Sequence, residues 1–218
     1  MKRAHDAILH GEQADYLDRM IAPRDALLLR MEEAAREHRR PISDPEVGHF
    51  LFATARAQKP RLVVELGTNI GYGAIVLAQG AGEGARVLTV EKNPALVAEA
   101  RKWIAEAKLE SRIEVREESA LDFLDTLPAG QVDLAYVDCV KEEYSEYLKK
   151  LVPLLSERGM IIADNVLWGG LVAKRDVPDD ESVRTNALRD FNRALLQEPR
   201  LRGVLLPLGD GIAYAVRV

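Results

Sequence analysis

Residues 63–73 read VVELGTNIGYG: a short apolar strand, a glycine turn, and a helix start. Glycines at 67, 71 and 73 let the main chain approach a ligand closely. Amides at the start of the following helix favour an anionic group such as a carboxylate. The spacing G-x-x-x-G-x-G is not the G-x-G-x-x-G fingerprint of dinucleotide enzymes. Eighteen positions after Gly73, Glu91 ends the next apolar run. A carboxylate there can accept hydrogen bonds from both hydroxyls of a ribose. A plainer reading is equally open, in which the glycines only make a tight turn and Glu91 only caps a helix.

Outward from this turn the pattern alternates. Strands are predicted at 61–66, 86–91, 112–116, 132–138, 160–164, 203–206 and 212–218. Helices are predicted at 72–79, 94–108 (capped by Asn93), 120–127, 142–155 and 181–197. Upstream, residues 6–20 and 24–39 read as helices separated by Pro23, and a third helix starts at Asp44 with Pro45 at its first position. Strands alternating with helices predict an α/β fold, a doubly wound, mostly parallel seven-stranded sheet of the Rossmann-like kind. The last two strands, joined by Leu208-Gly209-Asp210-Gly211, are close enough for an antiparallel hairpin. A single domain over 1–218 with a helical N-terminal extension, 1–58, is the expected organisation.

Composition narrows the function. The chain has 218 residues, 47% hydrophobic and 30% charged, which suits one soluble α/β domain. No apolar run approaches the roughly 18 residues of a membrane span, and acids come too early for a signal peptide. One cysteine, Cys139, excludes an internal disulfide framework and fits a reducing compartment, so a cytoplasmic location is expected. A net charge of −5 without a basic stripe argues against nucleic acid as partner.

In such sheets ligands sit at the carboxyl ends of the strands. Asp138 ends one predicted strand, and Asp164 ends another with Asn165 directly after it. Two carboxylates and an amide carbonyl are hard oxygen donors, suited to magnesium, manganese or calcium. Taken singly, each aspartate is more often a turn former than a ligand; together on strand ends they form a candidate metal site.

The stretch 63–78, VVELGTNIGYGAIVLA, resembles the first motif of the class I methyltransferases that bind S-adenosylmethionine. Within them it is most similar to the metal-dependent catechol and caffeoyl-CoA O-methyltransferase family. D-x-x-K at 138–141 and ADNVLW at 163–168 resemble that family's two metal-site motifs. The similarity runs from about Pro41 to the closing LPLGDGIAYAVRV. It implies that Glu65, Gly67 and Thr68 line the methionine end of S-adenosylmethionine, with Tyr72 and Gly73 beside it. Glu91 would hold the ribose, Ser119 and Ala120 would lie against the adenine, and Asp138 would border the cofactor too. Asp138, Asp164 and Asn165 would be the metal ligands and Lys141 the catalytic base. Lys141, Asn165 and Trp168 would meet a catechol-like small-molecule substrate. A homodimer is the expected assembly.

There are three departures from the family pattern. Gly73 stands where serine is usual, Glu118 where glycine is common, and Cys139-Val140 fill the metal motif. For Lys141 to act as a base, burial and an adjacent cation should lower its pKa. Rival readings are a metal-independent methyltransferase, a nicotinamide dehydrogenase and a non-catalytic binding module. The first has no use for Asp164-Asn165 beside Asp138; the second needs another glycine spacing; the third needs no lysine at 141.

Overall fold

The computed structural model describes residues 11–218. It opens on α1 (Gly11–Arg19), α2 (Ala26–Glu37) and α3 (Pro45–Gln58); residues 6–10 of the first expected helix lie outside the described residues. Tyr16, Leu17 and Met20 of the first segment are exposed. The described residues form two compact units, residues 21–120 and residues 121–218 with residues 11–20.

In residues 21–120, α2 and α3 precede β1 (Leu62–Leu66), α4 (Tyr72–Ala81), β2 (Arg86–Glu91), α5 (Pro94–Glu106) and β3 (Ile113–Glu117). Side chains cap the helices where a start is needed. Asp25 accepts the Leu28 amide at 2.8 Å, and Asn93 accepts that of Ala95 at 3.0 Å. The three strands are parallel, with Val63 opposite Val87 and Val87 opposite Ile113. Val63, Val64 and Leu66 are fully covered, and α4 is buried along most of its length. An apolar helix on an apolar strand is the local core. The turn between β1 and α4 is anchored in it at both ends.

From residue 120 on, the chain makes α6 (Ala120–Asp125), β4 (Val132–Val137), α7 (Tyr144–Leu154), β5 (Leu155–Ala163), α8 (Asp179–Gln197), β6 (Leu201–Leu206) and β7 (Ile212–Arg217). Strand β5 runs parallel to β4 and antiparallel to β7, and β6 pairs antiparallel with β7. The expected terminal hairpin is therefore present. Within residues 21–120 the strands fall in the order β3-β2-β1, and within residues 121–218 in the order β4-β5-β7-β6. Among the described residues no helix is long and apolar enough to cross a membrane.

Two of the boundaries that differ from expectation flank the second half of the candidate site. The helix expected from residue 142 begins as a single 3₁₀ turn, Lys141–Glu143, before α7. The strand expected at 160–164 starts at Leu155, directly out of α7. Leu155 pairs with Val132 and Met160 with Leu134, so the register shifts and the four residues between are looped out of the ladder.

Candidate active site

The residues singled out above fall into two clusters, one in each unit. In residues 21–120 the turn after β1 is built on left-handed backbone, with φ of 101° at Gly67 and 91° at Gly71. A side chain at either position would be strained. The amides of Gly67 and Thr68 both donate to the Val90 carbonyl, at 3.1 and 3.0 Å, which ties the turn to β2. Glu91 at the end of β2 is oriented by two main-chain amides. Its Oε2 accepts from Asn69 at 3.1 Å and its Oε1 from Asn93 at 2.9 Å. A carboxylate offers about four lone-pair sites, so capacity remains for two hydroxyls.

Glu65 is buried in β1. Thr89 Oγ1 donates to its Oε2 at 2.5 Å and lies 2.6 Å from Thr68 Oγ1. Since the Thr89 proton goes to Glu65, Thr68 donates to Thr89. Tyr72 is also buried, and its hydroxyl donates to Glu32 at 2.9 Å. Glu32 in turn takes two bonds from Arg24, both 2.8 Å. Burial and the Glu32 carboxylate push the Tyr72 phenol far up. What Tyr72 offers a ligand is thus its main chain in the first turn of α4, with Gly73 next to it. Ser119 is half-buried and Ala120 buried at the start of α6.

The second cluster stands at the ends of β4 and β5. Asp138 follows β4, and Asp164 follows β5 with its amide donating to Val137 at 2.9 Å. Asp164 is 3% exposed; Tyr136 donates to its Oδ2 at 3.0 Å and the Asn165 amide to its Oδ1 at 2.6 Å. Burial, then the neighbouring Asp138 charge, push its carboxyl up to about 7. Lys141 Nζ donates to Asp138 Oδ1 at 2.7 Å and to the Tyr144 hydroxyl at 2.8 Å. Tyr144, wholly buried, sits within 3.2 Å of the Val137 carbonyl and 3.1 Å of that of Asp164. Asn165 and Trp168 have left-handed backbone, φ 59° and 47°. The Trp168 indole donates to Glu181 at 2.8 Å. Two carboxylates crowded round one ammonium, one of them reluctant to ionise, leave room for a further positive charge. With the Asn165 amide they suit a hard divalent cation. Among the described residues no three His, Cys, Asp or Glu side chains gather as an alternative metal site.

The O-methyltransferase family profile matches residues 26–218. This chain belongs to the O-methyltransferase family. Its match begins in α2, earlier than the resemblance at Pro41 indicated. A caffeoyl-CoA O-methyltransferase of Stellaria longipes is 30% identical over 97% of this chain and 92% of that one. A methyltransferase of Podospora anserina solved with SAH bound superposes with a TM-score of 0.86, at 28% identity over 96% and 97% of the two chains. An O-methyltransferase of Bacillus cereus in complex with SAH gives 0.82, at 29% identity over 94% and 96%.

In this O-methyltransferase the groups around Lys141, before any metal is counted, hold its pKa up rather than down. Burial works against its charge, but the Asp138 carboxylate and Tyr144 outweigh burial and hold it above the ordinary lysine range. The neighbour that decides is an anion, not a cation. The three departures sit as follows. Gly73 is buried in α4; the half-buried Glu118 has its carboxylate 3.7 Å from Arg116; and the half-buried Cys139 is hydrogen-bonded with Tyr147. The sequence reading missed Thr89, Tyr136 and Tyr144. Thr89 and Tyr136 lie in apolar strands and Tyr144 on the apolar face of an amphipathic helix, so each looks like core; only the placing of Tyr144 three positions after Lys141 hinted at more.

Proposed function

We propose that this O-methyltransferase moves the methyl group of S-adenosylmethionine to one hydroxyl of a catechol-like acceptor, with a divalent metal, magnesium or else manganese or calcium, in attendance. The observation that carries the reading is the meeting of Asp138, Asp164 and Lys141 at two adjacent strand ends, with Asn165 beside them. The SAH in the Podospora and Bacillus structures and the name of the Stellaria relative support it.

Asp138, Asp164 and Asn165 would hold the metal, which when bound stabilises the anion of a phenolic oxygen as it does that of water. The glycine turn and the first amides of α4 take the methionine carboxylate, and Glu91 takes the ribose. S-adenosylmethionine supplies the electrophilic methyl. Trp168, fixed through its indole by Glu181, closes the second metal motif and offers a flat apolar face to the acceptor ring. Lys141 Nζ receives the proton of the acceptor hydroxyl. For that it must be neutral, so its contact with Asp138 has to give way. A metal held by Asp138 would offset the charge that keeps the ammonium protonated, and burial would then favour the amine. Most of the rate enhancement comes from holding donor and acceptor in attack geometry. A homodimer belongs to the same reading, with Tyr16, Leu17 and Met20 the exposed apolar side chains a second copy would cover.

The cofactor half is tested by calorimetry with SAH. Glu91→Ala removes a charged acceptor for two hydroxyls, each such bond being worth about 1.5–3 kcal/mol. Affinity should fall by about two to four orders of magnitude, at about 1.4 kcal/mol each, with the fold intact. Unchanged affinity would take Glu91 out of the site, and binding of NADH in place of SAH would contradict the reading.

A further inference from the structure

The chain leaves β5 along an unusual path. Asn165, Trp168, Gly169 and Gly170 all have left-handed backbone, with φ of 59°, 47°, 58° and 78°. Such a path is costly for an L residue as bulky as tryptophan and persists only where the surroundings impose it. What imposes it is the turn between β6 and β7. The Val166 amide donates to the Gly211 carbonyl at 3.0 Å and the Leu167 amide to the Asp210 carbonyl at 3.1 Å. The Gly169 amide donates to Asp210 Oδ1 at 2.6 Å. The two segments also touch without slack, since a Cβ on Gly211 would lie 2.4 Å from Leu167 Cγ. From the other side Asn192 of α8 donates to the Val166 carbonyl at 2.8 Å, and the Val166 side chain is fully buried. Three amides within five residues after Asn165 are therefore received by one turn some forty residues later in the chain.

We propose that Asp210 is a positioning residue for Asn165: by receiving the Gly169 amide on its carboxylate, it fixes the loop that aims the Asn165 amide oxygen at the metal. The proposal rests on the reading of Asn165 as a ligand. A ligand on a loop that can relax spends less time in place, so metal binding weakens although no ligand has been removed. Truncation at Asp210 should therefore act on the metal and leave the cofactor turn after β1 alone. Groups that orient ligands are typically worth about 10–100-fold in metal affinity. Asparagine at 210 keeps an acceptor oxygen for Gly169 and should keep most of the affinity.

The test is a Mn²⁺ titration followed by electron paramagnetic resonance, on the full chain and its Asn165→Ala, Asp210→Ala and Asp210→Asn variants, with SAH affinity measured in parallel. Expected are weakened Mn²⁺ binding in Asn165→Ala, an about 10–100-fold loss in Asp210→Ala, near-original affinity in Asp210→Asn, and constant SAH affinity throughout. Should Asp210→Ala fail to fold, Asp210→Ser, compatible with a turn and with a hydroxyl one bond shorter than the carboxylate, carries the same expectation. Original Mn²⁺ affinity in Asp210→Ala, or an equal loss in Asp210→Asn, overturns the proposal while leaving Asn165 a ligand. Mn²⁺ binding that Asn165→Ala leaves unchanged overturns the ligand reading itself, and the proposal with it.

Discussion

Lys141→Ala should lower turnover by about 10²–10⁴-fold, the usual worth of a positioned base. SAH affinity should change little, because the cofactor reading draws on Glu91 and the turn after β1. The loss should shrink as pH rises, since more of the acceptor is then ionised without help. A nitrocatechol, whose hydroxyls are more acidic, should be less sensitive than catechol for the same reason. The measurement is turnover against pH for both chains and both substrates, with metal saturating. Removing Lys141 also deprives Asp138 and Tyr144 of their shared partner at 2.7 and 2.8 Å. A loss uniform over pH and substrate acidity would therefore mean that Lys141 orders these groups, and the proton would have to go elsewhere.

The second large effect belongs to Asp164. Asp164→Ala should cut turnover by about three orders of magnitude, taking several kcal/mol as the worth of a Lewis-acid metal. Its pH behaviour follows from the buried carboxyl. Burial and Asp138 raise it from 3.8 to about 7, so between those values the folded chain holds a proton that the unfolded chain has released. Metal-free stability should therefore fall as pH climbs from about 4 towards 7. Asp164→Asn, neutral throughout, should abolish that slope in thermal melts. Metal binds the ionised carboxylate, so affinity should rise over the same window, and binding below pH 7 should release a proton. A pH-independent affinity from pH 5 to 8, with no proton released, would contradict this account of Asp164.

Much of this was legible in the sequence because glycine and proline punctuate it. The strand at 86–91 and the cap at Asn93 fall where the apolar run and the residue type place them. The turn at 67–73 is legible for the same reason, as two of its three positive φ angles fall on glycines, Gly67 and Gly71. Residues 156–159 were not: SERG reads as a turn between helix and strand, whereas Leu155 already pairs with Val132 and the polar residues loop out of the ladder. The polar network was hidden more deeply. Tyr136 and Tyr144 satisfy an apolar pattern as well as any core residue, and their hydroxyl partners lie 28 and 3 residues away in sequence. Periodicity locates a face, not the atom that a hydroxyl on that face will meet. Nor does the sequence show that Lys141 Nζ meets Asp138 Oδ1 at 2.7 Å, because that contact is set by side-chain geometry.

The central claim is that methyl transfer here requires a divalent metal held at Asp138, Asp164 and Asn165. The direct measurement is the rate of catechol methylation from S-adenosylmethionine by the purified chain, followed by mass spectrometry before chelation, after it, and after metal is restored. The account predicts that a chelator stops the reaction, that magnesium or manganese brings it back, and that phenol, with one hydroxyl, is not methylated in its place. Methylation of catechol at the full rate in the presence of the chelator would contradict it.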